Sequence, residues 1–411
     1  MPASPKTSAA ASATATAPPH RHNHFECSTS TRPGRYPHGS RACALPHYAV
    51  AIARSRQFFL LAIAVLALAA PAPVQAHFSG RKAIWGPGTV DGVSQFPVYR
   101  DLGVGIYETQ VRWDLVAPTR PRRASDPSDP AYRWPADLSD SVAQARRYGM
   151  RVLFMVIGAP PWANGGHGWN FAPRRPADYA DFVRAAARRY PSVHLWMVWS
   201  EPSRVKRFAP LHRSDPAART LTRRQSAAPR LYARILDAAY GALKGVSRRN
   251  LVIGGNTYTT GDIKTGQWIN YMRLPGGGRP RLDLYGHNPF SFRRPNLANP
   301  PGAEASIDFS DLGRLGAMVD RGLSRRRGQH IPLFLSEFTI PTGPDSEFNF
   351  YTELSTQADW IRAAFRIVHR WPRIYALGWI HVRDDPPGGS AGGLLDARGD
   401  KKPGYYAFRA G

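Results

Sequence analysis

The chain has 411 residues, with 55 Lys and Arg against 29 Asp and Glu, a formal net charge of +26. Both cysteines, Cys27 and Cys43, fall within the first fifty residues, so the rest of the chain has neither a disulfide framework nor a thiolate metal site to draw on. The basic residues are scattered and mostly arginine, which argues against a nucleic-acid role; acidic partners such as anionic glycans or cell-wall polymers stay compatible.

In chain order, residues 1–50 are rich in Ala, Ser, Thr, Pro and His and show no apolar periodicity, as expected of a disordered or wrongly included extension. Translation from an alternative start near Val50 would account for it. Residues 51–76 have the form of a secretory signal: Arg54 and Arg56, an apolar run from Phe58 to Ala70, and small residues at Val74 and Ala76. The run is short for a membrane span, which takes about 20 apolar residues; a signal anchor is the alternative. Cleavage after Ala76 removes seven Lys/Arg and one Glu and leaves a charge of +20 on 335 residues. Residues 77–411 are then expected to form one secreted domain, a monomer with no membrane attachment.

Eight apolar runs of strand length follow, at 83–86, 105–113, 151–158, 193–199, 251–255, 281–290, 331–338 and 374–382. Helical patterns lie between them at 136–148, 177–190, 230–246, 308–324 and 354–370. Most of the strand runs are apolar on both faces, the pattern of parallel strands covered by helices. Eight such strands with crossover helices predict an α/β fold, the (β/α)8 TIM barrel. An open doubly wound sheet is the competitor, but it lacks a Gly-x-Gly-x-x-Gly turn, for which Gly254-Gly255-Asn256 is no substitute.

A barrel gathers chemistry at the carboxyl ends of its strands. Glu201 follows the fourth run and Glu337 ends the seventh, so both are expected to face one cavity. A protonated and an ionised carboxyl there can divide a glycosidic cleavage between them, one donating to the leaving oxygen and the other attacking the anomeric carbon. No His-x-His or His-x-x-x-His pair occurs after residue 76, so no metal is predicted, and nothing points to a cofactor.

With "WSEP" at 199–202, "LSEF" at 335–338 and the tail "GGLLDARGDKKPGYYAFR", the chain resembles clan A glycoside hydrolases, nearest to family 39 (β-xylosidase-like) or family 5 (cellulase-like) enzymes, over roughly residues 82–410. The resemblance implies a retaining glycosidase acting on O-glycosyl bonds of a poly- or oligosaccharide, an anionic glycan among the candidates. It makes Glu201 the acid/base and Glu337 the nucleophile, with carboxyl groups about 5–5.5 Å apart. It places Arg112 beside Glu337, keeping that carboxyl ionised. Trp379 matches the clan's tryptophan floor beneath the sugar, and Trp162 resembles a further platform.

Two departures stand out. Ser200 occupies the position where the clan usually has an asparagine that binds the sugar 2-hydroxyl. In "DLYGHNPF", aligning Pro289 puts Asn288 on the family's histidine, whereas a one-residue shift uses His287; Tyr285 or His287 is then the polar neighbour of the nucleophile. The alternative to an enzyme is a non-catalytic carbohydrate-binding barrel derived from one.

Overall fold

The computed structural model describes residues 79–411 apart from Pro216 and Glu304. The expected extension at 1–50 and signal segment at 51–76 lie outside the described residues. Eight parallel strands close into a barrel in chain order: β1 (Ser79–Trp85), β2 (Val104–Arg112), β3 (Arg151–Ile157), β4 (Leu195–Val198), β5 (Leu251–Tyr258), β6 (Leu284–Asn288), β7 (Leu333–Phe338) and β8 (Ile374–Ile380). Each is followed by a helix: α1 (Phe96–Asp101), α2 (Ala136–Arg147), α3 (Pro176–Arg189), α4 (Ala227–Val246), α5 (Thr265–Tyr271), α6 (Leu312–Leu323), α7 (Leu354–Arg370) and α8 (Pro403–Ala410). The (β/α)8 expectation is met strand for strand. Among the described residues, no helix is long and apolar enough to cross a membrane.

Two apolar layers follow from strand alternation. Ala83, Ile106, Leu153, Met155, Leu195, Met197, Ile253, Leu284, Phe334 and Ala376 fill the barrel interior. The alternate residues, such as Ile84, Phe154, Trp196 and Leu335, pack outward with the helices. Local signals end the helices where they should. Gly149, at φ +75°, follows α2; its N–H bonds to Arg146 O and that of Met150 to Ala145 O, which closes the helix by a Schellman turn. Closure of the barrel is reinforced at its amino-terminal end. The fully buried Lys82 of β1 donates to Arg409 O of α8 at 2.8 Å and lies 5.4 Å and 5.5 Å from the ring centres of Phe365 and Phe408. Burial pushes its ammonium down to about 8.

Candidate active site

The carboxyl ends of the strands are where the backbone is most strained. Of the non-glycine residues with positive φ, Trp199 (+67°) and Glu201 (+45°) follow β4, Asn256 (+42°) lies in β5 and His381 (+66°) follows β8. Such residues persist only where their surroundings over-determine them, and they concentrate at functional sites. Ser200 is buried between the two strained residues after β4. Trp199 faces outward, packs edge-on against Phe208 at 5.3 Å and donates from Nε1 to Arg207 O at 2.8 Å. It anchors the loop that carries the next charged groups.

Glu201 is 3% exposed. Two consecutive turns, with Arg204 N–H bonding to Glu201 O and Arg207 N–H to Arg204 O, lay both arginines over it. Arg204 Nη1 donates to Glu201 Oε2 at 2.7 Å, and Arg207 Nε is 3.4 Å from the same oxygen. Asn288 Nδ2 donates to Glu201 Oε1 at 3.2 Å. Arg204 also stacks on Tyr258, at the end of β5, 4.2 Å from its ring centre.

Glu337 is turned into the barrel by an irregularity. Leu335 pairs with Leu377 and Phe338 with Trp379, so Ser336 and Glu337 together oppose Gly378: a β-bulge. The extra residue resets the alternation, so that Phe338 faces outward against Trp379 at 5.8 Å while Ser336 and Glu337 are both turned inward. Ser336 Oγ donates to Glu108 Oε2 at 2.6 Å on the floor beneath. Gly378 has no side chain because a Cβ there would collide with Ser336 O and lie 2.5 Å from Glu108 Oε1. Glu108 is fully buried, with Oε1 unpaired, and burial raises its carboxyl well above the usual range.

The two glutamates sense each other's charge. Burial first, and then the charge of Glu201, push Glu337 up to about 8, against smaller opposing contributions from Arg207 and Arg204. Among the described residues no group hydrogen-bonds or ion-pairs with Glu337. Burial and Glu201 thus favour the protonated form of Glu337, while two guanidinium groups lie against Glu201.

The remaining predicted residues divide into those the structure brings beside the two glutamates and those it does not. Arg112 is on the inward face of β2, but it forms a bidentate pair with Asp114 (2.8 Å and 2.6 Å) and stacks on Trp169 at 4.9 Å. The expected Arg112–Glu337 pairing is thus corrected: a carboxylate two residues along captures the fork. Asn288 is at the site, which resolves the register of β6. Tyr285 and His287 point the other way, into the outer layer. There Thr257 Oγ1 joins Tyr285 Oη at 3.1 Å and His287 Nδ1 at 2.8 Å, and His287 Nε2 is 2.9 Å from Ile307 O. Burial lowers His287 to about 4, so it is a neutral structural residue. Trp379 is also outward, 1% exposed, bonded from Nε1 to Gly392 O at 3.2 Å, and cannot floor a sugar site in this arrangement. Trp162 packs edge-on against Trp113 at 5.6 Å and donates to Ala117 O at 2.8 Å, buttressing the loop after β3.

Sequence reasoning missed an apolar rim. Phe290, Phe348 and Ile380 form a cluster above the barrel core, and Trp85, Tyr258 and Phe350 pack against it. Trp85 ends β1, is partly exposed and has an unpaired Nε1. A cavity of about 550 Å³ opens beside it, lined also by Gln110, Arg112, Leu115, Asp137 and Asp140. Gly388–Gly392 has the Gly-x-Ser-x-Gly spacing of serine hydrolases, but it is a loop after β8, not a strand-to-helix elbow, and Ser390 Oγ donates to Asp345 Oδ2 at 3.2 Å. No group of three potential metal ligands occurs among the described residues.

No protein-family model and no curated protein sequence matches the chain. Solved structures do. A family 39 glycoside hydrolase from Bacteroides cellulosilyticus superposes with a TM-score of 0.58 at 17% identity, over 83% of this chain and 65% of that one. A glucosidase from Croceicoccus marinus gives 0.56 at 17% identity, over 82% and 66%. A xylanase from Thermotoga petrophila, solved in complex with xylobiose, gives 0.52 at 15% identity, over 80% and 92%. At these identities the likeness is one of fold, and the chain spans just under two thirds of the length of the first two.

Proposed function

We propose that the protein is a retaining glycoside hydrolase. The observation that carries this reading is the pair Glu201 and Glu337: two buried glutamates from the ends of β4 and β7, each shifted or held by charge at the carboxyl-terminal mouth of one barrel. Similarity in fold to a family 39 glycoside hydrolase and a xylanase supports it. Glu337 attacks the anomeric carbon as the carboxylate, while Glu201 gives a proton to the departing glycosidic oxygen. In the second half, Glu201 takes a proton from water, and the hydroxide oxygen displaces Glu337 from the sugar. Asn288, fully buried, donates to Glu201 Oε1 and orients that carboxyl for the transfer. Trp85 offers a ring face for sugar stacking in place of Trp379. Residues 51–76, with the form of a secretory signal, support an activity outside the cell.

Reducing-sugar release across neutral and acidic glycans tests the reading, with Glu201→Gln and Glu337→Gln run beside the wild type. Release from at least one glycan that is lost in both variants is expected. A non-catalytic carbohydrate-binding barrel is the second reading, favoured by the arginine clamp on Glu201; glycan binding with no release by the wild type would establish it.

A further inference from the structure

Resting on the glycosidase reading, we infer that Arg204 and Arg207 are the binding site for an anionic group on the substrate, and that this anion, by drawing both guanidinium groups off Glu201, frees Glu201 to serve as the acid.

The coordination of these two arginines differs from that of the arginines held bidentately. Arg112, Arg281, Arg293, Arg294 and Arg373 each meet a partner aspartate through two nitrogens. Arg204 and Arg207 instead share a single oxygen, Glu201 Oε2, at 2.7 Å and 3.4 Å. Among the described residues, neither guanidinium hydrogen-bonds any other acceptor. Their side chains are 32% and 40% exposed, whereas that of Glu201 is 4% exposed. Two planar donor forks with unused N–H edges therefore open toward solvent beside a buried carboxylate. That geometry suits a carboxylate or sulfate, which accepts two parallel N–H bonds from each fork. Glu337, carrying its proton, does not balance the second positive charge. Glu347, exposed on the loop after β7, is the nearby negative group and lies within electrostatic reach of Arg204.

The chemistry gives this arrangement a purpose. Burial favours the protonated form of Glu337, the group that must attack as an anion, and both guanidinium groups sit on Glu201, the group that must donate. Once a ring-borne anion takes the guanidinium groups, Glu201 loses the positive charges that favour its anion. The shared proton passes from Glu337 to Glu201. Glu337 then forms its bond to the anomeric carbon as the glycosidic bond breaks, and the proton leaves Glu201 with the departing oxygen. Because both arginines engage Glu201, the anion belongs to the sugar on the leaving side of that bond. The substrate class is an acidic oligosaccharide.

Binding separates this inference from the glycosidase reading. The full chain carrying Glu337→Gln, an isostere of the protonated resting acid, is titrated calorimetrically with uronate-containing oligosaccharides, their carboxyl-reduced neutral counterparts, and sulfated neutral oligosaccharides. Uronate or sulfate forms are expected to bind about tenfold tighter or better than the neutral ones, with the tighter of the two naming the anion. The preference should vanish when Arg204→Gln and Arg207→Gln are added; Arg207→Gln alone, at the more exposed position, serves if the double change impairs folding. Equal affinity for charged and neutral forms, or a preference that survives both changes, overturns the inference. Wild-type hydrolysis of neutral glycans as fast as of acidic ones overturns it too while leaving the glycosidase reading standing. Arginine-dependent binding of acidic glycans with no hydrolysis of any glycan upholds the anion site and overturns the glycosidase reading.

Discussion

Replacing Glu337 by glutamine should make the protein more stable, and by an amount that grows with pH. An ordinary glutamate in the unfolded chain titrates near 4.5, whereas the folded one is pushed up to about 8 by burial and by Glu201. Below pH 4.5 the carboxyl is protonated in both states and contributes nothing. Between the two values the unfolded chain has released its proton and the folded chain has not, so each pH unit favours unfolding by about 1.4 kcal/mol. Above pH 8 the penalty is complete, on the order of 5 kcal/mol across the interval. The amide introduced by Glu337→Gln fills the same space and cannot ionise, so the variant is spared it. Denaturant unfolding of both proteins at pH 4.5, 6, 7 and 8.5 measures the difference directly. The gap should be smallest at pH 4.5 and widen to several kcal/mol by pH 8.5. A gap that stays constant with pH would show that Glu337 is ionised in the resting protein and would remove the basis for placing the proton there.

Three further outcomes follow from the geometry. Trp379→Ala should cost about 3–5 kcal/mol of stability by emptying an outer-layer site, whereas Trp85→Ala should raise KM or weaken glycan binding with much less effect on unfolding; the reverse pattern would return the sugar floor to Trp379. Gly378→Ala should destabilise the barrel by about 1–3 kcal/mol through overpacking against a backbone carbonyl and depress activity further than that loss explains, since the bulge that aims Glu337 must shift. Asn288→Ala should lower kcat/KM at least tenfold, the scale of one hydrogen bond to a charged group, with a near-normal unfolding midpoint; an unchanged kcat/KM would remove Asn288 from the site.

The strands were legible because parallel strands sheathed in helices are apolar throughout, and all eight runs became strands. That same uniformity hid which face each residue presents. In "IYALGWI" nothing distinguishes the inward Ile380 from the outward Trp379, so a family likeness chose the larger ring. In "LYGHN" there was a usable signal: Gly286 faces inward where a Cβ would crowd Asn256, which sets Asn288 inward and His287 outward. The bulge at Ser336–Glu337 has no sequence mark, because its cause is the missing side chain of Gly378 on another strand. Arg112 was placed on the correct face and given the wrong partner, although Asp114, two residues on, was visible as a competitor. The helices α1 and α5 were too short, and α5 too interrupted by Gly266, for a period to show. Arg204 and Arg207 lie in an aperiodic loop where sequence alone gives a charge no partner. Only the turns after Glu201, spaced three and six residues on, bring them over a carboxylate.

The bond from Lys82 to the carbonyl of Arg409 joins the first strand to the last helix at the face opposite the cavity. The barrel thus begins and finishes in one place, far from its mouth, and each strand pairs with its neighbours in chain order around the ring. A short linker across that junction, with new termini opened in a loop on the same face such as residues 247–250 between α4 and β5, would give a circular permutant that retains every wall of the cavity. For the same reason a reporter domain or an immobilising tag fused after Gly411 would leave the carboxyl-terminal mouth of the barrel unobstructed, which suits this protein to surface attachment.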